Sequence, residues 1–258
     1  MNKTTTTDIN RLKAFTSYLE DQVKNHSIYV WGGQGEDASI ICEDWIKRRE
    51  NSKENANRAI RFWQAQCAAG YKDKLRAFDC SGLGVYYFLK NGFISTDTTA
   101  DGLLRMSAPI QRIDVRIGDI VCKVNSKGKA THIGYVADNN LNVIEAKGRD
   151  AGVVKSHIDT GSWNAYGRLP FWTATEVAEA QGKYIFTRVL KLGCHGDDVK
   201  ALKKLLAKKG YTGLTTTNGN FLLKTQSVVK RFQKDRGLTV DGKAGRVTIT
   251  EVGGVWRG

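Results

Sequence analysis

The order of helical and strand-like segments along the chain most constrains its fold. Up to about residue 92 the apolar residues mostly recur at helical spacing. After Pro109 the pattern changes to short runs rich in β-branched and aromatic residues, separated by turn residues. These runs cover residues 118–124, 131–137, 141–147, 152–158 and 165–172. Helices followed by a meander of strands predict an α+β domain.

Three segments with helical character precede the strands. Residues 9–24 carry apolar side chains on one helical face, and Asp8 is placed to cap this helix. The glycine-rich stretch 29–36 then predicts a tight loop. Residues 37–76 are rich in charge and helix formers, and residues 80–90 predict a mostly buried helix.

The C-terminal part of the chain predicts a small all-α unit. Two amphipathic helices are expected at 196–210 and 225–237, with a third short helix after them. Residues 183–258 hold 16 Lys and Arg against 5 Asp and Glu, so they account for +11 of the net charge of +14. Such a unit should bind a polyanion: nucleic acid, an anionic membrane, or a wall bearing phosphate and carboxylate groups.

These patterns divide the chain into two domains. We expect the α+β domain to cover residues 1–172 and the helical domain to cover residues 188–258. Residues 173–187 between them are predicted to be a linker that begins with a short helical connector.

Composition disfavours several classes of protein. The hydrophobic fraction of 41% supports a real core, and no apolar run reaches the roughly 18 residues of a membrane span. The first residues have neither the apolar region nor the cleavage site of a secretory signal, so we expect synthesis in the cytoplasm. The five cysteines include no CxxC pair, so we expect no zinc or other cofactor and mostly inert buried thiols.

Cys80 is the cysteine whose position suggests chemistry. It stands where a loop meets the predicted helix 80–90, and the start of a helix offers N–H groups and partial positive charge that stabilise a thiolate. N–H groups near Ser81 and Gly82 would also suit an oxyanion hole. From this position alone Cys80 is either a nucleophile or a structural cysteine.

His132 is the best candidate for the base that a nucleophilic thiol needs. A two-residue turn at 138–139 would place Glu145 opposite His132, where the carboxylate would orient the imidazole. A three-residue loop would place Ile133 opposite Glu145 instead, so the strand register decides this point. His157 has no comparable carboxylate neighbour, which favours a structural role.

Several segments, in this order, resemble the NlpC-type cell-wall cysteine peptidases, a family with a papain-like fold. The matching segments are YVWGGQGE, FDCSGLGVYYFLKNG, GDIVCKV, THIGYVADNNLNVIEAKG, GVV and YGRLP. The resemblance covers residues 9–172, and it implies that Cys80 is the nucleophile and His132 the base. Glu145 occupies the place of the residue that orients the base.

The same resemblance implies contacts with the substrate. Tyr29, before the Gly-Gly pair, would face the sulfur and help to hold the substrate. Asp79 and Ser81 match positions that contact the end of the stem peptide in some members.

Two features depart from the family pattern. The orienting residue is often His, Asn or Gln, whereas here it is Glu145, and a carboxylate can orient an imidazole equally well. The segment 36–77, between WGG and DCSG, is longer than the corresponding connection in the family. This helical insertion is expected to form a wall of the cleft. Its large aromatic residues are expected to be packing residues; they are Trp45, Trp63 and Tyr71.

The end of the chain resembles the three-helix peptidoglycan-binding domain over residues 188–253. The matching segments are LKLGCHGDDVKALKKLLAKKGY and TQSVVKRFQKDRGLTVDGKAG. Before the second helix the domain usually has Asp-Gly-x-Phe-Gly, where this chain has Asn218 and Leu222 in place of the aspartate and the final glycine. The fold should survive these changes.

Together the two resemblances imply a peptidoglycan hydrolase that cuts the γ-D-glutamyl–diamino-acid bond of stem peptides. An N-acetylmuramoyl-L-alanine amidase with the same machinery and a non-catalytic wall-binding protein are the alternatives. The expected partner is peptidoglycan, with anionic wall polymers a further possibility; nucleic acid is not expected, because no stacking aromatics or zinc pattern accompany the charge. A wall hydrolase without an export signal fits a phage or prophage endolysin that acts on the wall after release.

Overall fold

The computed structural model describes residues 10–258, which form two compact units. The first unit ends at Thr173 and the second is Ala174–Gly258. The first mixes helices with an antiparallel sheet and the second is mainly helical, so the predicted fold classes are confirmed. Within the described part of the chain, no helix has the length and apolarity needed to span a bilayer.

The first unit contains both the predicted helices and the predicted strands. Its helices are α1 (Arg11–Lys24), α2 (Glu43–Arg49), α3 (Lys53–Ala68), α4 (Gly82–Lys90) and α5 (Ala100–Met106). Its strands are β1 (Ile28–Tyr29), β2 (Gln34–Glu36), β3 (Ala77–Phe78), β4 (Ala108–Pro109), β5 (Ile120–Val124), β6 (Ala130–Val136), β7 (Asn142–Gly148), β8 (Gly152–His157) and β9 (Ala165–Arg168). The stretch 29–36, expected to be a loop, is therefore partly extended, because its two ends pair with β3.

The strands form two sheets. The small sheet has the order β1-β3-β2, with β1 parallel to β3. The larger sheet is antiparallel with the order β4-β9-β5-β6-β7-β8. The small sheet leads into α4 and the large sheet carries the candidate base.

Helix α1 covers the first unit's aromatic core. Its cap is Asn10, whose side chain accepts a hydrogen bond from the Lys13 N–H at 2.9 Å; Asp8, the expected cap, lies outside the described residues. Phe15 of this helix is fully buried and its ring centroid lies 4.9 Å from that of Phe88 in α4. This packing fixes α4 relative to the rest of the unit, and with it the segment just before α4 that carries Cys80.

The helical insertion packs on the small sheet. Trp45 of α2 is buried in one cluster with Ile28 of β1 and Ala77 of β3, and Trp63 and Tyr71 pack against the edge of that cluster. The expectation that these aromatic residues are packing residues is confirmed. The insertion therefore shares its core with the strands that lead to the candidate site.

The second unit contains the two predicted amphipathic helices and the short third one. Its elements are α6 (Ala174–Ala180), β10 (Ile185–Phe186), α7 (Asp197–Lys208), α8 (Leu223–Asp235), α9 (Arg246–Val252) and β11 (Val255–Trp256). The segment expected as a linker is part of this unit, because β10 pairs in parallel with β11. Lys203 of α7 is buried, which is unusual for a lysine, and its ammonium donates to the Asn218 side-chain oxygen at 2.7 Å.

Candidate active site

Cys80 lies in the connection between β3 and α4, and Asp79 shapes that connection. The Asp79 carboxylate accepts hydrogen bonds from the Gly82 N–H at 2.7 Å and from the Ser81 hydroxyl at 3.1 Å. The Asp79 N–H donates in turn to the Gly33 carbonyl at 2.9 Å. Asp79 thus caps α4 and ties it to the glycine-rich turn after β1.

Close backbone contact explains the glycine after Cys80-Ser81. A Cβ atom on Gly82 would lie 2.1 Å from the Gly33 carbonyl oxygen, far inside van der Waals contact. Residue 82 must therefore be glycine for α4 to begin where it does. This contact holds Cys80 at the helix start.

The surroundings of the Cys80 thiol favour its protonated form. Burial, followed by the neighbouring Asp79 carboxylate, raises its pKa to about 11. Backbone N–H groups of Cys80, Ser81 and Ile133 act in the opposite direction but do not outweigh burial. The N–H groups at the helix start thus favour the thiolate as expected, but burial outweighs them, so a base is needed to remove the proton.

His132 and Glu145 form the hydrogen-bonded pair that such a base requires. The His132 Nε2 atom lies 2.6 Å from Oε2 of Glu145, whose side chain is only 3% exposed. A carboxylate accepts hydrogen bonds but does not donate them, so Nε2 is the nitrogen that donates to Glu145 and Nδ1 is the one left to act as the base. Because the Ile133 N–H acts on the Cys80 sulfur, the thiol lies next to the strand position of His132.

The strand register differs from both alternatives considered for this pair. Tyr135 is opposite Ile144 and Val136 is opposite Val143. The Ala137 N–H also donates to the Asn142 carbonyl at 2.8 Å, which leaves a four-residue loop at 138–141. Continuing this register places Glu145 across from Gly134, two residues from His132 on the same face. The predicted direct opposition is therefore wrong, and the contact is a diagonal one, which long side chains can make.

Trp163 is a part of the site that the sequence analysis missed. Its indole stacks on the His132 imidazole, with planes 8° apart and ring centroids separated by 5.7 Å. Gly134 makes this possible: a Cβ there would lie 2.4 Å from the Val143 side chain and 3.1 Å from the indole. Gly134 thus makes room for the Trp163 ring, and a glycine two residues after His132 was the available signal in the sequence.

Comparisons with known proteins show which family the chain resembles. The model of the NlpC/P60 family matches residues 26–169, more than half of the chain. The chain belongs to the NlpC/P60 family. NlpC/P60 is a cysteine peptidase family. A second family model, described as a putative peptidoglycan binding domain, matches residues 195–251. The chain is therefore an NlpC/P60 peptidoglycan hydrolase with a peptidoglycan-binding domain.

Solved structures similar to this chain include two domains of the same family. The NlpC/p60 domain of the peptidoglycan hydrolase SagA is 14% identical, with 61% of this chain and 98% of that chain covered and a TM-score of 0.40. The P60 domain of an antigen from M. avium subspecies paratuberculosis is 17% identical, with 63% and 99% covered and a TM-score of 0.40. The N-terminal domain of SleB is 31% identical over 26% of this chain and 92% of that chain, with a TM-score of 0.25. No curated protein matches the chain.

Tyr29 lies beside the candidate nucleophile in the NlpC/P60 domain. Its side chain is buried, and its hydroxyl pKa is raised by burial first and then by Cys80 and Asp79. The guanidinium of Arg149 stacks over its ring at 5.2 Å. The structure therefore brings Tyr29 to the site, and its contact with substrate remains a prediction, as do those of Asp79 and Ser81.

The remaining histidines and cysteines of the NlpC/P60 chain lie apart from this cluster or lack its contacts. His157 is exposed and its Nδ1 accepts the Asp159 N–H at 3.3 Å, a local turn contact. Cys122 is the one of the other four cysteines that is fully buried, and burial raises its pKa to about 12. Cys42 is exposed and Cys67 and Cys194 are half-buried, so the expectation that most of these thiols are buried is wrong.

Proposed function

We propose that this chain is a cysteine endopeptidase that cleaves the γ-D-glutamyl–diamino-acid bond of peptidoglycan stem peptides. The observation that carries the proposal is the buried 2.6 Å hydrogen bond between His132 and Glu145, next to a thiol at the start of α4. The choice of bond rests on the family resemblance of the segments around Cys80.

The proposed reaction follows from the protonation states of the site. The Cys80 proton passes to Nδ1 of His132 while the sulfur attacks the scissile carbonyl carbon. Backbone N–H groups of Cys80 and Ser81 hold the oxyanion. The C–N bond then breaks, His132 protonates the departing amine, and a thioester remains. Water, deprotonated by His132, hydrolyses the thioester to a carboxylate and restores the thiol.

Digestion of purified cell wall followed by mass spectrometry tests the proposal. We expect a new free amine on the diamino acid, and no release by the Cys80→Ala protein, which should still bind wall. Cleavage between muramoyl lactate and L-alanine would indicate the amidase instead, and new reducing ends would exclude both. Undiminished lysis by the Cys80→Ala protein would remove Cys80 from the mechanism.

The second unit is proposed to hold the enzyme on anionic wall material. Lys204 and Lys208 stand four residues apart on α7, so their charges reinforce one another on one side of the helix; Lys200, one turn earlier, pairs with Asp197 at 2.9 Å. Like charges at this spacing destabilise a helix, which a bound polyanion would relieve. Lys230 and Lys234 repeat the arrangement on α8.

Salt dependence tests this partner. Wall binding by the Cys80→Ala protein should weaken as salt rises, because salt screens exposed charges. Changing both Lys204 and Lys208 to Glu should weaken binding and flatten the salt dependence. Changing Lys53 and Lys72, exposed in the first unit, to Glu should leave wall binding unchanged. Equal losses of wall binding in both double variants would contradict a specific surface on the second unit.

The setting of the activity is proposed to be that of a phage or prophage endolysin, made in the cytoplasm and released to the wall. Two domains directed at the same polymer support this setting. Expression in a susceptible bacterium should cause lysis only when a pore-forming holin is co-expressed. Lysis without the holin would contradict the proposed route of release.

A further inference from the structure

The helical insertion contributes one buried carboxylate, that of Glu50, whose partners lie outside the insertion. Glu50 is the C-cap residue of α2, directly after Arg49, and its side chain is 0% exposed. Its Oε2 accepts hydrogen bonds from both Nε and Nη2 of Arg149, at 2.8 and 2.6 Å. Its Oε1 accepts the Trp31 N–H at 3.0 Å. Each oxygen of the buried carboxylate is thus paired, as burial of a charge requires.

Both partners of Glu50 belong to the site rather than to the insertion. Arg149 lies in the turn between β7 and β8, and its guanidinium stacks over the ring of Tyr29. Trp31 is two residues after Tyr29, and its indole is 53% exposed although it is a large apolar group. Glu50 therefore holds the ring of one residue through Arg149 and the backbone of the other directly.

The segment 29–33 is held at successive backbone positions, and Glu50 supplies one of them. The Val30 N–H donates to the Phe78 carbonyl at 3.0 Å, and the Gly33 carbonyl accepts the Asp79 N–H at 2.9 Å. Trp31, between these points, has its backbone N–H fixed by Glu50. Without Glu50 the Trp31 N–H would lose its hydrogen-bond acceptor, whereas the hydrogen bond from Asp79, next to Cys80, to Gly33 would remain.

Two further ion pairs tie the insertion to the same region. Arg49 pairs with Glu36 of β2 at 3.2 Å, and Arg58 of α3 pairs with Asp150, the residue after Arg149. These pairs are partly exposed and so contribute little by themselves. The first pair ties α2 to β2, and the second ties α3 to the turn on which Arg149 lies.

We propose that Glu50 is a positioning residue through which the insertion fixes Tyr29 and Trp31, and that it sets the affinity of the cleft for the substrate peptide. This inference rests on the proposed function. It makes the insertion part of the binding site, whereas the reactivity of Cys80 depends on His132.

Glu50→Gln tests the inference, because it keeps the shape and removes the charge that pairs with Arg149. In the Cys80→Ala background, calorimetry with a synthetic stem tetrapeptide should give a Kd about tenfold weaker. With Cys80 present, KM should rise by a similar factor, whereas kcat and the rate of Cys80 alkylation by iodoacetamide should change less than about threefold. Glu54→Gln, exposed at the start of α3, is the matched control and should leave Kd unchanged.

A double variant separates positioning from mere stability. Glu50→Met with Arg149→Met leaves no unpaired buried charge, so its melting temperature should exceed that of Glu50→Gln, while its Kd should stay weak. Wild-type Kd in the double variant, or an unchanged Kd in Glu50→Gln, would overturn the inference. Hydrolysis by the Cys80→Ala protein would overturn the proposed function without altering this comparison of Kd values.

Discussion

Replacing Glu145 should separate the orienting role of this residue from its charge. Glu145→Gln keeps an oxygen that can accept the His132 Nε2–H but removes the negative charge. A hydrogen bond to a charged group contributes about 1.5–3 kcal/mol, against about 0.5–1.5 kcal/mol for a neutral one. The difference of about 1–1.5 kcal/mol corresponds to a kcat lower by roughly 5- to 13-fold.

Glu145→Ala should cost more, because it removes the acceptor altogether. The whole charge-assisted bond, about 1.5–3 kcal/mol, is then lost, and either nitrogen of His132 can carry the proton. We expect a fall in kcat on the order of 100-fold. Both side chains are largely buried, so solvent screening removes little of this effect.

The assay is release of the diamino acid's amine from a synthetic stem tetrapeptide, followed by chromatography at neutral pH. Thermal melts should show that both variants fold, and Glu251→Gln, exposed on α9, should match the wild type. An Ala variant as active as the wild type would refute the orienting role. Equal losses in the Gln and Ala variants would refute the argument that Gln retains the orientation.

Two further predictions follow from the packing around Cys80 and His132. In a His132→Ala protein, alkylation of Cys80 should rise with pH toward a midpoint near 11, because burial and Asp79 keep the proton on sulfur until that pH; a midpoint at or below about 8.5, the usual thiol value, would contradict this. Gly134→Ala should lower the free energy of unfolding by about 1–3 kcal/mol in denaturant titrations, since the new Cβ meets the Val143 side chain at 2.4 Å. Unchanged stability in that variant would mean that the strand shifts freely to accept the methyl group.

Local spacing was sufficient to predict most secondary structure. The helices α1 and α4 and the strands from β5 to β9 each show their own hydrophobic period, so no distant contact was needed to expect them. The linker was misjudged because the pairing of β10 with β11 joins segments about seventy residues apart. No local pattern reports such a pairing.

The predicted register of β6 and β7 was wrong, but the predicted contact between His132 and Glu145 is present. The Asp138 side chain accepts the N–H groups of Asn140 and Asn142, at 2.9 and 3.1 Å, and so builds a four-residue loop. Relative to the two-residue turn, this loop shifts the partners by two positions. Because side chains alternate between faces with a period of two, Glu145 stays on the face of His132.

The sequence by itself determined the order of the elements and the chemical identity of Cys80, His132 and Glu145 as a thiol, an imidazole and a carboxylate. Only the tertiary structure decided how these groups behave. The thiol is a poor acid because residues distant in the chain bury it, and the imidazole is covered by Trp163 because Gly134 leaves room. Burial and ring stacking depend on segments that meet only in the fold, so spacing along the chain does not report them.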